Sequence, residues 1–235
     1  MAFLIEHPRE IRTLKTHTRF GAGLALFVAA SMSLTACGGD SDSGSDSKDK
    51  IKGAETSTQP TSPKPSASST PMDDGIDRPE ITLPGDVHNV FEETTTGDPK
   101  KDAVLADNAH SINAIDEAIT SGDIKRPALK FYLKDAGLLS ALEYIKSYYD
   151  ADVTFTGTTR YYNRKVTILK NGSAVVNYCS DETKSNSKNR KTGKVKKNSP
   201  GPGNFLYSTS RLDKNSQGVW QVAKVTSDEG AAKCQ

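Results

Sequence analysis

The sequence predicts an α+β domain, helices first and an antiparallel sheet after them, on three observations. Apolar side chains recur at helical spacing between residues 98 and 149. At Asp150 the period changes to two. Asn171-Gly172, a pair that tolerates positive φ, then sits between two alternating runs as a hairpin turn. Helical runs followed by strand runs imply N-terminal helices packed on one face of a curved antiparallel sheet of four to five strands.

The first helix is expected over 98–121, where Val104, Leu105, Ile112, Ile115 and Ile119 recur before Ser121-Gly122 stops the run. Pro127 suits a first helical turn and opens a short second helix through residue 133. A third helix, 135–149, carries Leu138, Leu142, Ile145 and Tyr149 on one stripe. Val153 and Phe155 begin a short strand, and a longer one over 159–170 places Tyr162, Arg164, Val166 and Ile168 on one face. After the hairpin, 173–181 puts Ala174, Val176 and Tyr178 on one face and Val175, Asn177 and Cys179 on the other. A polar connection, 182–203, leads to a last strand pair over 204–212 and 218–226.

The N-terminal part has a different character. Arg9, Arg12, Lys15 and Arg19 precede an apolar or small run over 21–34 that is too short to span a bilayer, so 1–36 reads as a signal peptide. Leu34-Thr35-Ala36-Cys37 resembles the lipobox of bacterial lipoproteins. That resemblance implies cleavage after Ala36, a diacylglyceryl thioether on Cys37 with palmitate among its acyl chains, and a place on the extracytoplasmic face of the cell membrane. Small side chains suit a peptidase cleft, the thiol is a soft nucleophile, and two acyl chains hold firmly where one is marginal. Residues 37–97 are rich in Ser, Thr, Asp, Lys, Pro and Gly and read as a disordered tether, leaving 98–235 as the folded domain.

Composition narrows the partners. The net charge of +2 over 235 residues is too small to argue for nucleic acid. With Cys37 assigned to lipid, Cys179 and Cys234 remain to pair in an oxidising compartment.

Helix, short helix, helix and then four or five antiparallel strands is similar to the NTF2-like (cone-shaped, SnoaL-like) fold. In more detail the chain resembles small actinobacterial lipoproteins whose activity is unassigned. The matching residues are the lipobox, the strand from Val175 to Asp181, the Lys191-Thr192-Gly193-Lys194 turn, and Gly218-Val219-Trp220-Gln221-Val222 ahead of Cys234. The chain departs from that pattern where Asn177-Tyr178 replaces the acid before Cys179. The resemblance implies the fold and a Cys179 to Cys234 disulfide.

His110 and Asp107 are the candidate general base and its partner, three residues apart on the first helix, and a helix-surface pair is the expected outcome. No cofactor motif and no metal-ligand spacing is present in the sequence, and Asp150 and Asp152 read as residues that bend the chain between helix and strand. Lys188, Arg190, Lys191, Lys194, Lys196 and Lys197 form a basic tract without acids, a candidate contact for anionic lipid headgroups or wall polymers. It lacks interleaved aromatics on which bases would stack, which argues against nucleic acid. Aromatic residues such as Tyr144, Tyr148, Phe155, Tyr161 and Tyr178 are expected in the core, with a lining role in a cone-shaped pocket as the alternative. The function expected is non-enzymatic: a lipid-anchored domain that binds a protein partner or an envelope component. The alternative is a small-molecule binder, or a cyclase- or isomerase-like enzyme with an aromatic cone.

Overall fold

The computed structural model describes residues 74–92 and 95–235. The signal peptide, Cys37 and the tether up to residue 73 lie outside the described residues. Among the described residues no helix is long and apolar enough to cross a membrane.

Three helices form where periodicity places them. Helix α1, Pro99–Ser121, begins at Asp98, whose carboxylate accepts from the backbone N–H groups of Lys100 and Lys101. It ends at Gly122, left-handed at φ 77, whose N–H returns to the Ala118 carbonyl. Helix α2, Pro127–Tyr132, starts on its proline, and α3 runs over Asp135–Asp150.

The strands are β1 (Val87–Phe91), β2 (Val153–Ile168), β3 (Ala174–Asn189), β4 (Val195–Lys196), β5 (Phe205–Lys214) and β6 (Trp220–Glu229). They make one six-stranded sheet in the order β1-β2-β3-β5-β6, with β4 paired to the far end of β3. All pairs are antiparallel except β1, which runs parallel to β2. Helices on a curved, mixed sheet are the architecture the resemblance implies.

Three details differ from the sequence reading. The two strands expected over 153–170 are one, kept continuous by register shifts. Asn163, at φ 52, lies in one of those shifts and turns the chain over. Tyr161 and Arg164 therefore face the helices, while Tyr162 joins Cys179 and Cys234 on the other face. Strand β3 also continues eight residues past Asp181, its far half laddered to the start of β2 from Lys184↔Thr158 to Asn189↔Val153. Nothing apolar alternates there, so backbone pairing alone makes it a strand.

The third difference is the tether's end. Residues 74–92 lie on the domain: Ile76, Ile81 and Phe91 pack against the core, and Arg78 reaches the buried Asp107. Few apolar anchors suffice because the polar ones reach buried carboxylates. The Thr82 N–H bonds Glu117 Oε1 at 2.8 Å, and Arg126 pairs with the same carboxylate.

The core lies between helices and sheet. Trp220, Tyr132, Ile119, Leu129, Leu133, Ile145 and Leu212 are all less than 2% exposed, and each such side chain stabilises the fold by about 1.5–3 kcal/mol. Helix α3 comes so close to β6 that a Cβ on Gly137 would stand 2.4 Å from the Val222 carbonyl oxygen.

Candidate functional site

The concave side of the sheet gathers one carboxyl and a wall of rings. Asn113 and Asp116 are three residues apart on α1 and so share a face. Asn89 of β1 ties them together, its Nδ2 donating to Asn113 Oδ1 at 2.9 Å and to Asp116 Oδ2 at 2.6 Å. Asn89 is buried, 4% exposed, whereas Asp116 and Asn113 are half-buried. Asp116 therefore keeps part of its surface exposed.

Aromatic side chains from three strands and α3 surround it in two linked groups. Phe91 of β1 stacks on Tyr161 of β2 with ring centroids 4.7 Å apart, and Tyr161 lies 6.1 Å from Tyr178 of β3. On α3, Tyr144 and Tyr148 meet edge to face at 5.2 Å with hydroxyls 3.0 Å apart, and Tyr148 reaches Phe155 of β2 at 6.1 Å. Tyr144, Tyr148 and Phe155 are half-buried.

The electrostatics are acidic. Burial pushes the Asp116 carboxyl up to about 7; the Asn89 hydrogen bond opposes this and the nearby charge of Glu182 on β3 adds to it. Burial, and then the same two carboxylates among other acids, hold the Tyr144 and Tyr161 hydroxyls well above their ordinary range. At the inner end Arg164 donates to the Leu105 carbonyl, lies 5.0 Å over the Phe91 ring, and is pulled down to about 10 by burial.

His110 and Asp107 are not the helix-surface pair expected of them. Asp107 is fully buried, its Oδ1 on Arg78 at 2.6 Å and its Oδ2 accepting the Trp220 backbone N–H at 2.8 Å. Burial raises its pKa against the pull of those two donors. His110 stacks on Tyr132 at 5.1 Å and is pushed down to about 4 by burial and then by the Arg78 charge. Both oxygens of Asp107 serve the fold. Among the described residues no group of three or more His, Cys, Asp or Glu is placed to hold a metal ion, and Asp152 pairs with Lys191 at 2.6 Å from a left-handed turn.

Cys179 and Cys234 are bonded, with Cα atoms 5.6 Å apart across a sequence separation of 55. Tyr162 donates to the Cys234 carbonyl, and Phe205, Tyr207 and Ala231 pack around the bridge. The basic tract is a hairpin of β3 and β4, and half of it is paired with groups of the domain. Lys188 pairs with Asp86 at 2.8 Å, Lys191 with Asp152, and Arg190 donates to the Ile119 carbonyl from 4.8 Å over the Tyr149 ring. Lys194, Lys196 and Lys197 are exposed.

Asp116, Asn89 and Glu182 were not singled out in the sequence. The readable signal was an i, i+3 pair of Asn113 and Asp116 beside the apolar stripe of α1. Asn89 lay in a segment assigned to the tether, and Glu182 in one assigned to a polar connection.

No protein-family model matches the chain, and no curated protein matches it in sequence. Solved structures do resemble it. A ketosteroid isomerase-like protein from Erwinia carotovora atroseptica is 19% identical with a TM-score of 0.40, covering 56% of this chain and 97% of its own. The intermembrane space region of the chloroplast protein ARC6 is 10% identical with a TM-score of 0.36, covering 54% and 96%. ActVI-ORFA from Streptomyces coelicolor is 9% identical with a TM-score of 0.36, covering 54% and 92%.

Proposed function

We propose that this is a lipid-anchored extracytoplasmic protein whose domain binds a small molecule at the mouth between α1, α3, β2 and β3. Asp116 is the polar contact, and Tyr144, Tyr148, Phe155 and Tyr161 are the walls. The observation that carries this reading is the half-buried Asp116 carboxyl, fixed by Asn89 and facing open aromatic surface. Apolar walls with a few convergent polar groups are what a small-ligand site requires.

The anchor rests on Leu34-Thr35-Ala36-Cys37, and the Cys179–Cys234 bond agrees with an oxidising location. The envelope-partner reading loses ground because Lys188, Arg190 and Lys191 are engaged within the domain. A second reading, proton transfer of the isomerase or cyclase kind, is favoured by one observation, an Asp116 pKa of about 7 that suits a general base at neutral pH.

The test is a nuclear magnetic resonance screen of neutral aromatic fragments against the full-length protein in detergent. Binders should shift the amides of Asp116, Tyr144, Tyr148 and Phe155, and Asp116→Leu should weaken them by roughly 5- to 100-fold, the loss of one buried hydrogen bond. Shifts elsewhere, or an equal response in the variant, would sink the reading. The anchor is checked separately: a clickable palmitate analogue should label the chain, and Cys37→Ala should abolish the label.

A further inference from the structure

The geometry points to a protonated organic amine, an ammonium group on an apolar or aromatic body, as the ligand class of the Asp116 mouth. This rests on the small-molecule reading of the same site and narrows it. Three independent features converge on a cationic donor.

The first is the character of the groups that face Asp116. Tyr144 and Tyr148 come from α3, Tyr161 from β2, and Tyr178 and Glu182 from β3; from β1 and α1 itself come the amides of Asn89 and Asn113. The charge that acts on Asp116 is a second carboxylate, Glu182. The cation Arg164 of β2 acts on Tyr178 and is held by the Leu105 carbonyl. Two acidic groups, Asp116 and Glu182, thus lie close together, which suits a positive guest.

The second feature is the wall itself. Tyr144, Tyr148 and Phe155 are half-buried rings within 6.1 Å of one another in sequence along the wall, and Tyr161 adjoins them. The negative face of an aromatic ring attracts an ammonium group, more strongly once the pair is desolvated.

The third is an unused acceptor. The Oδ1 of Asn89 has no hydrogen-bond partner although the residue is only 4% exposed, and it belongs to the same amide whose Nδ2 grips Asp116. A buried acceptor left unpaired is costly to the fold. A donor N–H supplied by the guest would satisfy it. A quaternary ammonium has no proton to give, so the preference is for primary and secondary amines.

Asp116 must ionise to hold the cation, so binding displaces its proton. The acid is neutral below its value of about 7 and charged above it, and affinity therefore rises with pH. If only the ionised form binds, the apparent affinity at pH 5.5 is roughly 30-fold below that at pH 8.

The experiment is calorimetric titration of the full-length protein in detergent with benzylamine, and with benzyl alcohol as its neutral counterpart, at pH 8 and pH 5.5. At pH 8 the amine should bind at least roughly tenfold tighter than the alcohol with little proton exchange, and lose that advantage at pH 5.5, where its binding must release the Asp116 proton. Asp116→Asn should abolish the preference for the amine. Glu182→Gln should move the pH midpoint down, because removing a negative neighbour lets Asp116 ionise earlier. Equal binding of amine and alcohol at pH 8, or an amine affinity that ignores pH, overturns the amine assignment and leaves the small-molecule site standing. Failure of both probes to bind at the mouth overturns the site as well.

Discussion

Asp107 and Asp116 stand on the same helix and end in opposite circumstances. Asp107 spends both oxygens on Arg78 and the Trp220 N–H, deep in the core, whereas Asp116 keeps one face toward the mouth. Replacing Asp107 by Ala should leave Arg78 with Asp74 alone and the buried Trp220 N–H without its acceptor, at a cost of about 1–3 kcal/mol. Thermal unfolding should show that loss with ligand affinity at Asp116 unchanged in the molecules that stay folded. If Asp107→Ala left the melting temperature intact, its role in the fold would be refuted. His110, pushed to about 4 from an ordinary 6.5, works in the same direction under acid. Its stability contribution is complete above pH 6.5 and drains away as pH falls toward 4, because the unfolded chain takes up the proton first. The sequence placed Asp107 and His110 within reach of each other and left open what they would reach instead. That depended on Arg78 and Tyr132, whose contacts arise only in three dimensions.

Among the elements, legibility follows the kind of force that makes each one. Helices α1 to α3 were visible because an apolar stripe buries them, and the β2–β3 hairpin because Asn171-Gly172 closes it, Gly172 standing at φ 88. Strand β1 and the far half of β3 were not visible, since a polar run that joins a sheet by backbone bonds leaves no period in the side chains. A chain beginning at residue 98 would lack Arg78, the Thr82 N–H and Asn89, leaving Asp107 and Glu117 buried with fewer donors. Such a chain should be markedly less stable than one beginning at residue 74, as a lower midpoint in urea, and equal midpoints would show the segment to be dispensable. At α3, Gly137→Ala should cost about 1–3 kcal/mol, because its Cβ would stand 2.4 Å from a backbone oxygen that cannot yield cheaply.

For the molecule as a whole, the Cys179–Cys234 bond holds the C-terminus to a central strand across a loop of 55 residues. In the chain-entropy account this stabilises by on the order of 4 kcal/mol. Reduction, or Cys234→Ser, should lower the melting temperature by about 10 °C for a domain of this size, and an unchanged melting curve would remove the bridge from the stabilising forces. At the other end of the chain, the same segment that links the domain to the proposed anchor also carries Asn89. Were that anchor in place, a pull on this segment would be met at Arg78 and Thr82 before it reached β1. While those two clasps hold, the strain stops short of the sheet. Should they slip, the strand drawn away would take the Asn89 amide off Asp116, and under the proposed function mechanical load and occupancy of the mouth would be connected through one short strand.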